Sequence, residues 1–311
     1  YLNGYIPDAN GTDQLVQNVR EDTNNDYSLQ VKDDRIIEYV INNKDLTINA
    51  YDSNEYGTKA DTTVDQEYDS IEEMNNLFDC GEQLRTREPD NRTIYGVDEN
   101  DNLIEFTAAN KDEFDSLLGS AAVEYPDCLL TSGSPNYENL IKYARGEPVT
   151  NCRSRATNNS ATDENVWKIG DIIYSSPSIV EYKNYALVYV GSNDGMLHAF
   201  HMGFIKNVGT TLNPAKLCDD SSASSCTHTS IGKEAWAFVP KDAMPYLRYM
   251  ANPDYNHIYT VDLKPFIVNI GSQIILIGGM RLGGGTDATD ADAINPPSDT
   301  GTIGRSAYYA L

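Results

Sequence analysis

Four histidines, five cysteines and several runs of carboxylates are the side chains here that could do chemistry. His198 and His201 stand three apart on or just after a strand, so they need not share a face. That spacing makes a poor metal site, and a polar pair at a strand edge is the expectation. Cys218 and Cys226 flank the polar stretch D-D-S-S-A-S-S, which suits a local disulfide closing a surface loop. Adding His228 gives C-x7-C-x-H, which is not a usual zinc spacing. Cys128 and Cys152 are expected to pair around one helix, leaving Cys80 over. Asp287, Asp290, Asp292, Asn295 and Asp299 place five oxygen-bearing side chains within thirteen positions, with no basic residue among them. Hard divalent cations take such ligands, so this run is a candidate calcium loop, although no Glu closes it in the standard twelve-residue manner. Asp8–Asp13 and the hairpin tip Asp98–Asp101 are also acidic, but both read better as turns. The chain has no G-x-S-x-G elbow, phosphate loop or C-x-x-C-H haem site. Gly283–Gly285 precede no helix of the nucleotide-binding kind and read as a turn.

Composition narrows the classes further. Asp and Glu number 47 against 23 Lys and Arg, a net charge of −24 over 311 residues. Phosphate binding needs a basic footprint, so this balance argues against nucleic acid and anionic membrane surfaces as partners. Hydrophobic residues make up 40%, enough for a packed core. The 21 tyrosines, with abundant Asn, Thr and Gly, suit strands joined by polar turns. No run is long and apolar enough to cross a bilayer. No signal peptide is expected at Tyr1, and without an initiator Met the sequence is expected to be a mature or partial chain.

The elements that must position these residues are mostly short strands. R-I-I-E-Y-V-I (35–41) and D-L-T-I-N-A-Y (45–51) predict two strands, with period-2 alternation at Leu46, Ile48 and Ala50. Ser70-Ile71-Glu72-Glu73 is a capping box, predicting a helix with Ile71, Met74, Leu77 and Phe78 on one face. Short helices are expected over 111–119, 135–145 and 242–251, the second with Ser134 as cap and Pro135 at its first position. From Val166 onwards strands are expected at 171–174, 178–181, 186–191, 196–201, 234–239, 258–262, 265–269 and 273–278. A loop insertion over 203–232 interrupts them, and 278 to 311 reads as a hairpin with an expanded turn.

One hairpin is written plainly: V-Y-V-G-S-N-D-G-M-L-H-A-F, Val188 to Phe200. It has an echo 94 residues upstream, where Ile94, Tyr95, Leu103 and Phe106 match Val188, Tyr189, Leu197 and Phe200. Repeated strand-turn-strand units of this kind are the signature of propeller blades.

These hairpin residues also carry a resemblance. G-D-I-I-Y-S-S-P (170–177), the 188–200 hairpin, E-A-W-A-F-V-P (234–240), N-P-D-Y-N-H-I-Y-T-V-D (252–262) and I-L-I-G-G-M leading to Y-A-L resemble the PilY/PilC family of type IV pilus tip proteins. Upstream, N-L-F-D-C-G-E-Q-L, R-T-I-Y and L-I-K-Y-A-R-G resemble the same family, so the match is collinear over 70–311. The resemblance implies a mainly β chain: a modified quinoprotein-like β-propeller with short helical insertions, incomplete here. Room for about three blades after Val166 leads us to expect further chain beyond Leu311, or a second polypeptide that completes the ring. The segments implied are 1–69, N-terminal strands; 70–164, a first blade hairpin with helical insertions and a linker; and 165–311, propeller blades. The implied function is non-enzymatic: assembly of type IV pili, adhesion and twitching, at an extracellular pilus tip, with minor or major pilins as partners and surface or host ligands beyond them. Some members carry a calcium loop in the propeller, but its residues have no clear counterpart here, and no counterpart of the family's von Willebrand A-like domain is expected within these residues. Two other functions compete. A quinoprotein oxidoreductase needs an aromatic platform and a redox cofactor, for which only Trp167 and Trp236 exist. A generic extracellular adhesin for carbohydrate or receptor is not separated from the pilus role by sequence.

Overall fold

The computed structural model describes residues 2–7, 13–42, 45–55, 57–70, 73–119, 125–157, 166–207, 215–221, 226–281 and 307–311. The described residues are mainly β, with several sheets and few, short helices. They fall into two compact units: Tyr1–Asp79 with Lys183–Tyr185 and Met202–Ile231, and Cys80–Tyr182 with Ala186–His201 and Gly232–Leu311.

The first unit begins with strands β1 (Leu2–Pro7), β2 (Asp13–Arg20), β3 (Ser28–Leu29), β4 (Ile36–Asn42), β5 (Asp45–Tyr51) and β6 (Gln66–Tyr68). Five of them form an antiparallel sheet in the order β1-β2-β4-β5-β6. The alternation in β5 places Ile48 and Ala50 in the core, beside Ile37, Tyr68 and Met74. The predicted helix after Ser70 is not present over 74–79. Asn75 gives its backbone to residues 21–23 instead: its carbonyl accepts from Asp22 N at 3.0 Å. Its side chain donates to Thr23 O at 3.2 Å. Those bonds replace the intrahelical ladder.

In the second unit, α1 (Cys80–Thr86) precedes β7 (Ile94–Val97) and β8 (Leu103–Glu105). Then follow α2 (Asp115–Leu118), β9 (Leu130–Thr131), β10 (Ser134–Pro135) and α3 (Tyr137–Arg145). The α3 cap is Asn136, whose side chain accepts from Asn139 N at 3.0 Å. Ser134 and Pro135 do not start the helix as expected, because both are drawn into an extended pair with Thr131 and Leu130. Gly146 ends α3.

The chain continues through β11 (Ser178–Glu181), β12 (Ala186–Gly191) and β13 (Leu197–His201). It returns to the first unit for β14 (Phe204–Asn207) and β15 (Ala215–Cys218), which form a three-stranded sheet with β3. The second unit resumes with β16 (Glu234–Phe238), α4 (Leu247–Met250), β17 (Phe266–Ile270), β18 (Gln273–Met280) and β19 (Ala307–Ala310).

A six-stranded sheet in the order β11-β12-β13-β16-β7-β8 organises this unit. The predicted hairpin is its centre, with Val188 opposite Phe200 and Gly191 opposite Leu197. Its upstream echo is there too, with Val97 opposite Leu103. The two hairpins do not head separate blades, however. β16 joins them edge to edge, antiparallel to β13 and parallel to β7. Their matched positions differ accordingly: Phe106 and Phe200 are both buried, but Leu103 on edge strand β8 is 60% exposed while Leu197 on central β13 is fully buried. β12 and β13 are covered on both faces, by the main core on one and by Leu84 of α1 on the other.

Two predicted strands are absent, at 171–174 and 258–262. Side-chain acceptors hold those segments in place of a ladder: Tyr174 N donates to Asp262 Oδ1 at 2.9 Å and Thr260 N to Asn193 Oδ1 at 3.0 Å. β17-β18-β19 form a further antiparallel sheet. Among the described residues no sheet closes on itself. Disulfides join Cys128 to Cys152 across the segment containing α3, and Cys218 to Cys226 after β15; Cys80 is in neither.

Candidate functional site

The densest set of titratable groups in the second unit lies around His198. β13 carries the imidazole inward, where it is fully buried. Its Nδ1 is 2.8 Å from Glu234 Oε1 on the neighbouring strand β16. Its Nε2 is 3.0 Å from Asp194 Oδ2 in the hairpin turn. Arg92, just before β7, closes the set. Its Nε and Nη2 donate to the two Glu234 oxygens, each at 2.9 Å. Its Nη1 caps the C-terminal end of α3 through Arg145 O at 2.8 Å. Arg145 answers with Nη2 to Arg92 O at 2.7 Å and Nη1 to Phe106 O at 2.9 Å. Asp194 also accepts from Gly170 N at 3.1 Å and Met196 N at 3.0 Å.

The electrostatics balance. Burial alone would lower the His198 pKa, but Asp194 and Glu234 outweigh it and hold it up at about 9. Burial likewise opposes the charges on Asp194 and Glu234, yet His198 beside the first and Arg92 beside the second hold both below the usual carboxylate range. At neutral pH the cluster therefore contains two cations and two anions. An imidazolium donating from both nitrogens has no lone pair for a metal or for a nucleophile's proton. This cluster can lock the hairpin turn, β13, β16 and the approach to β7 together. It cannot act as a general base as it is placed.

The expected strand-edge pair at His198 and His201 is thus corrected: His198 is a core histidine between two carboxylates. Sequence reasoning missed it because the decisive partner, Glu234, is 36 residues away. The turn beside it has a similar role. Asn193 Nδ2 donates to Asp171 Oδ2 at 3.1 Å, and the Asp171 carboxylate is 2.9 Å from His257 Nε2.

The first unit holds a cavity of about 400 Å³ lined by Val19, Arg20, Asp34, Phe78, Ile205 and Leu217 among others. Its polar wall is largely occupied from within. Arg20 Nη1 donates to Asp34 O and Val31 O, and Nη2 to Gly57 O at 2.7 Å. Asp34 accepts from Gln30 N at 2.7 Å and Thr23 N at 3.3 Å. Burial pushes its carboxyl up to about 6 against those two amides. The loop before it has oxygen-bearing side chains at alternate positions from Asp22 to Gln30, a calcium-loop signal readable in the sequence. Here Asp22 is turned onto Asp26 N and Tyr27 N. Among the described residues no group of three or more His, Cys, Asp or Glu is arranged to hold a metal ion.

The other candidates separate. Asp287, Asp290, Asp292, Asn295 and Asp299 lie outside the described residues, as does most of Asp8–Asp13. The Asp98 carboxylate accepts from Asn100 N and Asn102 N, both at 2.8 Å, so that turn binds itself. His228 stacks on Tyr27, with ring centroids 4.4 Å apart.

Two relatives match part of the chain, each described as "Type IV pilus biogenesis factor PilY1 homolog" and both from Xylella fastidiosa (strain Temecula1 / ATCC 700964). One is 28% identical over 151 residues, covering 44% of this chain and 10% of that protein. The other is 34% identical over 101 residues, covering 31% of this chain and 5% of that protein. The chain therefore spans only a small part of the relatives it matches. No family model matches it, and no solved structure matches it significantly.

Proposed function

We propose that this chain is part of a type IV pilus biogenesis factor that acts without catalysis at the extracellular pilus tip, supporting assembly, adhesion and twitching through contacts with pilins. The observation that carries the reading is that both relatives reported above bear that printed name. Two disulfides are compatible with an oxidising, surface location. Among the described residues no helix is long and apolar enough to cross a membrane. The engagement of both His198 nitrogens supports a structural role over a catalytic one for the best-built cluster.

The fold proposed with this function is a modified quinoprotein-type β-propeller, with β17-β18-β19 as part of one blade. The acidic run Asp287, Asp290, Asp292, Asn295 and Asp299 is proposed as its calcium loop. Calorimetric titration with calcium tests that part: heat lost in Asp290→Asn with Asp292→Asn supports it, and no heat in the parent chain ends it.

The function is tested by deleting the coding segment in its own host. Loss of surface pili and of twitching, restored by the intact gene, is the expected result, together with gold label at filament tips. Normal piliation and twitching in the deletion strain overturns the reading.

A further inference from the structure

One turn of α1 holds a nucleophile and an acyl group together. The helix reads C-G-E-Q-L-R-T, Cys80–Thr86. Cys80 is the one cysteine of five in neither disulfide. Gln83 follows it three positions later, and side chains at that spacing share a helix face with Cβ atoms about 5–6 Å apart. Helical side chains lean towards the N-terminus, which inclines the Gln83 carboxamide back towards Cys80. The two-carbon arm of Gln and the sulfur of Cys are long enough to close that gap. Between them, Gly81 has no side chain to crowd the approach. The Glu82 carboxylate is turned onto Arg85, with Oε2 2.6 Å from Nε and Oε1 2.6 Å from Nη2. The surroundings suit an acyl–sulfur bond. Cys80 packs on an apolar cluster of Leu84, Val190 and Phe200, all buried, with Ile169 and Val188 beside it. Water, the nucleophile that destroys a thioester, is kept from that side. Cys80 and Gln83 are both half-buried, so the other side stays within reach of a reactant.

We propose that Cys80 and Gln83 form an internal thioester, and that this bond captures a primary amine of a basic partner protein, such as a lysine side chain. In formation, the Cys80 sulfur attacks the Gln83 amide carbon, the C–N bond breaks, and the thiol proton leaves with the nitrogen as ammonia. No oxidant or cofactor enters. Ammonia is protonated in neutral water, so it does not return as a nucleophile. Holding the two groups one turn apart replaces a bimolecular collision with a local one. In capture, the amine nitrogen bonds to the acyl carbon, the C–S bond breaks, and an amine proton passes to sulfur. The products are an amide to the partner and a Cys80 thiol. The site reacts once, so it is a covalent clasp and not a turnover enzyme. Charge selects the class of partner: a net −24 draws lysine-bearing surfaces and does nothing for neutral sugar hydroxyls. A thiol in a chain with two disulfides is also open to disulfide exchange, and acylation removes it from that chemistry. The inference does not use the pilus reading and survives its failure.

Mass spectrometry of the chain made in an oxidising compartment tests it, with the mass localised by fragmentation. Residues 60–85 hold Cys80 as their only cysteine. The expected result is a loss of about 17 Da, one ammonia, confined to that stretch. Methylamine should then add about 31 Da there and make one thiol titratable. Cys80→Ser and Gln83→Glu keep the shape of each side chain, and each should show neither the loss nor the methylamine adduct. Full sequence mass in the parent, with the Cys80 thiol titrating before methylamine is added, overturns the proposal. So does a loss of ammonia that persists in Cys80→Ser, which would place it at another amide. Faster adduct formation with glycerol than with methylamine at equal concentration overturns the choice of an amine and makes a hydroxyl-bearing carbohydrate the target.

Discussion

His198 on β13 and Glu234 on β16 face each other in the core with Nδ1 and Oε1 2.8 Å apart, and Arg92 holds both oxygens of the same carboxylate. Two strands and the segment leading into β7 therefore meet at one buried anion. Removing that anion leaves two buried cations, Arg92 and His198, with Asp194 as the one remaining carboxylate of the cluster. Breaking one partner out of a buried ion pair costs about 3–5 kcal/mol. Glu234→Ala is expected to lower unfolding stability by an amount in that range, read from urea denaturation followed by near-ultraviolet circular dichroism. Glu234→Gln retains the shape and an acceptor, so it should cost less. If both variants unfold at the parent's midpoint, the cluster does not hold the fold.

The same cluster sets a pH dependence. His198 has a folded pKa of about 9 against an ordinary 6.5. A group raised on folding contributes fully below its unfolded pKa and loses that contribution as pH rises through the folded value. Stability should therefore decline from about pH 6.5 and level off above about pH 9, by roughly 3 kcal/mol for this one group. Asp194 and Glu234 are lowered on folding, so their contribution is present above the ordinary carboxylate range and is lost only as pH falls through their folded values. The expected maximum lies between these two limbs. Equilibrium unfolding at intervals from pH 4 to pH 10 measures it, and His198→Gln should flatten the alkaline limb specifically.

Local signals were legible and distant ones were not. Ile48 and Ala50 could be placed in a core because alternation is a property of neighbouring residues. The hairpin from Val188 to Phe200 was legible for the same reason: its turn residues lie between its own strands. The helix predicted after Ser70 failed because Asn75 bonds to Glu21, Asp22 and Thr23, more than fifty positions away. The histidine cluster was hidden in the same manner, since nothing near His198 announces Glu234 or Arg92. The echo between the hairpins was real as a pattern of strand and turn. It misled about burial because a strand's neighbours, not its own residues, decide whether Leu103 or Leu197 is covered.

Close packing at the end of β12 makes a sharper test of the backbone. A Cβ at Gly191 would sit 2.2 Å from the Val261 carbonyl oxygen, which belongs to backbone and cannot swing aside. Gly191→Ala is expected to cost about 3 kcal/mol, the upper end for forcing one extra carbon into a packed core. Gly271, between β17 and β18, has φ +63° and nothing within 4 Å of its Cβ position. Gly271→Ala should cost only the left-handed strain of about 1 kcal/mol. Thermal unfolding of the two variants checks the ranking, and equal losses would mean that Val261 is free to move.

The two disulfides close loops of different length, in different units. Cys128–Cys152 spans 24 positions and Cys218–Cys226 spans 8. In the chain-entropy picture a cross-link stabilises by limiting the unfolded ensemble, more for the longer loop, giving about 3.5 and about 2.5 kcal/mol. The first bond also ties the segment before α3 to the segment after it, and Leu140 and Ile141 of that helix are buried in the main core. Cys128→Ser with Cys152→Ser should therefore destabilise the second unit and expose α3, seen as faster amide exchange over 137–145. Cys218→Ser with Cys226→Ser should leave exchange at α3 unchanged and raise it only around β14 and β15. Faster exchange at α3 in the second pair would show that the two units do not unfold independently.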